Sequence, residues 1–184
     1  MGVGPVRCTS LPPVAVTLSS VHMTFRARAT SLALVLVLAA ASACTPNPDR
    51  LPTPSRNFYY VIEDEGRQLE YLKLEESERK SYLEKLGLWQ RWTELSNEER
   101  ESAETRTVEV GFKEFSAHMA WGLPADTRTA EARGREVLYE TFIRCTSGPK
   151  ESQYVRQNID CDGTSSEVQI AIENGIITEI KYLD

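Results

Sequence analysis

Histidine is nearly absent from this 184-residue chain, which holds only His22 and His118. Once the segment ending at Cys44 is set aside, His118 is the sole imidazole, and a lone histidine on a helix beside Met119 and Ala120 is a packing or surface residue before it is a base or ligand. With no second histidine there is no metal set to assign. No G-x-S-x-G motif and no glycine-rich phosphate loop occur, so no nucleophile elbow and no nucleotide cradle can be placed. The reading is a non-enzyme with no cofactor. Acids are missing from residues 1–43, which carry only Arg7, Arg26 and Arg28; beyond them 27 Asp and Glu face 18 Lys and Arg, a balance of −9. That balance gives no electrostatic reason to bind nucleic acid or an anionic membrane face. A long apolar run is lacking too. Ser31 to Ala43 covers 13 residues, where a bilayer crossing needs about 20.

A run of that length suits the apolar region of a signal peptide. It follows Arg26 and Arg28, ends in small residues and leads into prolines, and Met23 gives it a tidy start, so residues 1–43 read as a signal segment whose true beginning is Met23. The exit has two readings. Ala41-Ser42-Ala43 is an A-x-A site for ordinary signal peptidase, while the small residues before Cys44 resemble the lipobox of bacterial lipoproteins. Cysteine arithmetic favours lipidation of Cys44, since Cys145 and Cys161 are then left as an even pair; export to an oxidising compartment makes them a predicted disulfide. Thr45 stands where bacterial lipoproteins retained at the inner membrane resemble one another in having Asp, so by analogy the anchor belongs in the outer membrane, facing the periplasm.

Residues 44–57 read as a proline-rich tether, because Pro46, Pro48, Pro52 and Pro54 oppose helix and sheet. From Phe58 to about residue 107 the pattern is helical. Tyr82, Leu83 and Leu86 recur at helical spacing, with Ser77 as a cap and Gly87 as a stop. Trp89 and Trp92 share a helical face, as a packing stripe or as a ligand cradle. Ser96 to Glu99 has capping-box spacing, but the helix it opens has almost nothing to bury and is predicted to be solvated and frayed.

Beyond Val108 come a helix bearing Phe112, Phe115, Met119 and Trp121, stopped by Gly122 and Pro124, then a strand over "REVLYETFIRC" and a hairpin over "SEVQIAIENGIITEIKYL". A two-residue Asn174-Gly175 turn would set Ile170 against Glu179. A three-residue loop with a bulge at Gly175 aligns Ile172 with Ile176, Ile170 with Thr178 and Val168 with Ile180, and is the predicted register.

"VGFKEFSAHMAWGLP", the strand segment "VLYETF" and the hairpin "VQIAIENGIITEI" together resemble the BamE (SmpA/OmlA) lipoprotein domain over residues 108–184. The resemblance places the helix opening at Val110 and Gly111, its exit at Gly122, Leu123 and Pro124, and the strand aromatics at Tyr139 and Phe142. It departs at Lys113, where family members commonly have a capping Ser or Thr, in the helical segment 58–107, and in the long insertion between strands. It implies an α+β fold, helices against one face of a small antiparallel sheet, and accessory work in outer-membrane protein assembly, with a membrane held through the lipid anchor and an envelope protein as partner. The other class is a periplasmic module binding a small ligand, lipid or peptide. Candidate interaction residues are Trp89, Trp92, Trp121 and Lys181. A deep pocket at a tryptophan speaks for a ligand, and a free sheet edge for a scaffold.

Overall fold

Proline starts the ordered chain rather than delaying it. The computed structural model describes residues 47–183 apart from residue 133; the signal segment, Cys44 and the start of the proline stretch lie outside the described residues. Pro48–Arg50 is a short 3-10 turn, and helix α1 runs Thr53–Val61 with a proline in its first turn. There a missing N–H costs nothing, because that N–H has no intrahelical partner. The extended tether expected through residue 57 is therefore corrected: helix begins at Thr53.

Four more helices follow: α2 Glu65–Lys73, α3 Glu76–Lys85, α4 Leu88–Thr93 and α5 Asn97–Thr105. Their buried side chains form one cluster with Phe58, Val61, Tyr71, Leu83, Trp92 and Ala103 among its members. Ser77 lies inside α3, whose cap is Glu75, where the Glu78 carboxylate accepts the backbone N–H at 3.1 Å. Gly87 ends the helix as expected, in the left-handed region at φ 73°. None of the described helices is long and apolar enough to cross a membrane.

Helix α5 is docked, not frayed. Ala103 is fully buried, and its carbonyl accepts from the Asn57 side chain of α1 at 3.3 Å. Glu99, 6% exposed, accepts from the backbone N–H of Ser96 and of Lys113, each at 2.7 Å. It thus closes the capping box of its own helix and caps the next one, α6 Glu114–Trp121, which Lys113 precedes without a side-chain cap of its own. Burial by itself would raise the Glu99 carboxyl, but the hydrogen bonds from the Lys113 and Ser96 backbones and the Ser96 hydroxyl outweigh it and hold the group below its ordinary 4.5. A lowered value stabilises the fold above the unfolded-state value and is lost as pH falls through the folded one. Glu99→Gln should cost about 2 kcal/mol at neutral pH. In urea titrations the gap to the parent should close as pH drops below about 4; a gap that persists in acid would argue against this cap.

Five strands complete the fold: β1 Asp126–Ala132, β2 Arg135–Cys145, β3 Tyr154–Val155, β4 Ser165–Glu173 and β5 Ile176–Leu183. The sheet is antiparallel in the order β1-β2-β4-β5, with β3 beside the end of β2. This is the expected α+β class, with helix against one sheet face. Every residue of α6 after Glu114 is buried. Ala117, Ala120 and Trp121 pack with Phe142, Val168, Ile170, Ile172 and Ile177 of the sheet, while Phe115 and Met119 join the helical cluster. The single stripe read from Phe112 to Trp121 is thus split between two cores, and the helical segment draws two core residues from beyond residue 107.

The hairpin register is corrected. Asn174 (φ 52°) and Gly175 (φ 76°) make a two-residue turn in which Glu173 faces Ile176 and Ile172 faces Ile177. The ladder then shifts by one at Thr178, whose hydroxyl donates to the Ala171 carbonyl at 3.2 Å, so Ile170 faces Ile180 and Val168 faces Tyr182. The extra residue lies inside β5, not in the loop. It returns Ile180 to the core face, which the simple two-residue turn could not do. Gly111, at φ 97°, is not a helix opening: its N–H donates to the Ile177 carbonyl, and the Ile177 N–H donates to Phe112, both at 2.8 Å.

Candidate functional site

Three places in this frame gather chemistry. The first joins α6 to β2. Glu140 occupies the core phase of β2, between Leu138 and Phe142 on the face that meets α6; it is 3% exposed. The His118 Nε2 lies 2.8 Å and 3.0 Å from its two carboxylate oxygens, and 3.8 Å from Glu114 one turn earlier, which in turn is 4.0 Å from Arg91. One ligand atom from each of Glu114, His118 and Glu140 fits within 4.8 Å, close enough for a single divalent ion. Without an ion, the short His–Glu contact already gives both buried groups a direct partner. The cluster fastens helix to sheet. Sequence reading placed His118 on its helix and missed Glu140, although an acid at the core phase of an apolar strand, and Glu114 four residues before His118, were visible signals.

A second place lies at the end of α6. Trp121 is 6% exposed and stacks on Tyr154 with ring centroids 4.9 Å apart, while its Nε1 donates to the Arg106 carbonyl at 3.1 Å. Both rings line a cavity of about 330 Å³ with Tyr60, Arg56, Arg106 and Arg156. Burial pushes the Tyr154 hydroxyl up to about 12, so it stays a neutral donor. Trp89 and Trp92 are elsewhere: both pack on Phe58, at 6.1 Å and 5.6 Å, in the helical cluster. Of the two readings of those tryptophans, the structure takes packing; Trp121 alone among the three lines this cavity.

The third place is the outer edge of β5. Residues 111–114 cover its start through the bonds to Ile177 and one from the Glu114 N–H to Gly175. From Thr178 onward no strand among the described residues pairs with that edge. Lys181 sits there, exposed and 3.1 Å from Glu179. Tyr182 and Leu183 are 62% and 39% exposed. The cysteines expected to pair do so: Cys145 and Cys161 are bonded, their Cα atoms 5.3 Å apart. No protein family, curated protein or solved structure compared with this chain matches it.

Proposed function

We propose that this chain is a lipid-anchored, non-catalytic protein of the bacterial envelope, BamE-like in kind, that docks a protein partner of outer-membrane assembly on the open edge of β5. The observation that carries the reading is that edge. Unpaired backbone N–H and C=O groups accept another strand unless lysines, prolines or bulges defend them. Here Lys181 is engaged by Glu179 and the bulge at Thr178 lies at the covered end, which leaves Tyr182 and Leu183 beside a usable ladder. The basic, apolar and small-residue order before Cys44 supports the anchor, and the disulfide agrees with export.

A photo-crosslinking residue at position 182 should join the chain to an envelope protein in intact cells, whereas one at the exposed Glu104 should not. Lys181→Glu should lower the yield without altering the melt. Equal crosslinking at both positions, or none at 182, would remove the docking reading. Separately, Cys44→Ser should shift the protein from the membrane fraction or halt its processing, since acyl chains anchor by about 0.8 kcal/mol per buried CH₂. Unchanged partitioning would remove the anchor.

A further inference from the structure

The cavity beside Trp121 has a composition at odds with the rest of the molecule. Beyond residue 43 the chain is acidic by nine charges, yet the cavity lining includes Arg56, Arg106, Lys150 and Arg156 against Asp49 and Asp160. None of the four cations lies within ion-pair distance of an acid among the described residues; the pairs found lie elsewhere. Lys150 is spent on the Asp160 carbonyl at 2.7 Å. The three arginines are not so held, and the Arg56 Nε is a buried donor with no acceptor. The carbonyl end of α6 opposes an anion here with roughly half a charge, which leaves the lining positive.

Arg106 carries a second signal. It is the residue after α5, at φ 61°, a position where glycine is the cheap choice and any other residue costs on the order of 1 kcal/mol. An arginine there gains something from the carbonyl end of α5. Its backbone is also fixed by Trp121, the ring that forms the cavity's apolar wall with Tyr154. Flat rings and unpaired guanidinium groups thus meet around about 330 Å³, the small end of the range for ligand pockets and too little for a two-chain lipid.

We propose that this cavity is a binding site for a small organic anion with a flat apolar body, its carboxylate, sulfonate or phosphate held by Arg56, Arg106 and Arg156 and its body against Trp121 and Tyr154. The geometry that supports it is the stacked pair at 4.9 Å set among arginines without acid partners. The site is separate from the β5 edge and does not rest on the docking reading.

The test is calorimetric titration of the full-length chain with 2-naphthoate, 2-naphthylmethanol, acetate and inorganic phosphate, and with phosphatidylserine vesicles. Naphthoate should bind one to one and saturably, with the uncharged alcohol and the bare anions each weaker by roughly tenfold or more, the usual worth of a hydrogen bond to a charged group. Arg106→Gln and Arg156→Gln, both at exposed positions, should each weaken naphthoate by about tenfold while the thermal melt stays put. Lys181→Glu should change nothing, which separates this site from the edge. Naphthoate binding no tighter than the alcohol, binding unaltered in both arginine variants, or association with vesicles alone would each overturn the proposal.

Discussion

His118→Leu is expected to cost about 3 kcal/mol, the upper end for leaving a buried polar group without its hydrogen-bond partner. The size follows from what is left behind. Glu140 is 3% exposed, His118 Nε2 contacts both of its oxygens, and no other donor among the described residues bonds to it. The reciprocal change, Glu140→Leu, should cost less, because Glu114 at 3.8 Å remains beside the imidazole. The double replacement is the informative variant. Two leucines between α6 and β2 join an apolar surface already made by Ala117, Phe142 and Ile170, so the double should recover most of the loss and reach or pass the parent. Urea unfolding of all four proteins gives the coupling energy. A single variant within about 1 kcal/mol of the parent, or a double as poor as the two losses added, would show that the pair does not fasten this interface.

Removing the disulfide should have the next largest effect. Replacing both Cys145 and Cys161 with serine frees a loop closed over a separation of 16 residues, worth about 3 kcal/mol and a fall of roughly 10 °C in Tm. The loop is not a loose appendage. Thr146 and Thr164 are joined by backbone and hydroxyl bonds, both at 2.8 Å, and the Ser152 N–H returns to the Cys145 carbonyl at 2.8 Å. At Gly163 even a methyl group would meet the Ser147 carbonyl at 2.6 Å. Because the same loop carries Tyr154 and Arg156 to the cavity wall, naphthoate affinity should fall together with Tm, and reductant should do to the parent what the serines do. A melt indifferent to both would show that the insertion holds its shape without the bond.

Strand β2 was legible to its ends, since Arg135 to Cys145 is rich in β-branched and aromatic side chains. Strand β1 was not: "DTRTAEA" has almost nothing apolar, and only its place against β2 makes it a strand. The Asn174-Gly175 turn could be seen, but the bulge at Thr178 could not, because the choice between bulging in the loop and in the strand depends on Gly111 and Phe112, which pair with Ile177 from outside. Glu99 was read as part of a capping box, a local signal; its second bond, to a backbone 14 residues away, has no local trace. The cavity arginines are likewise scattered from Arg56 to Arg156 and converge only in the folded chain.

The double burial of α6 reaches into how the protein comes apart. An eight-residue helix with polar flanks would barely persist alone in water, yet here Phe115 and Met119 complete one core while Ala120 and Trp121 complete the other. A truncation at residue 107 would therefore leave the helices with an open wound where Phe115 belongs, and a fragment beginning after α6 would expose the sheet's Phe142 and Ile170. Neither half keeps its core closed without α6. The amides of α6 should be among the last to exchange with solvent, opening only when the whole molecule does, and both halves should then be lost in a single step.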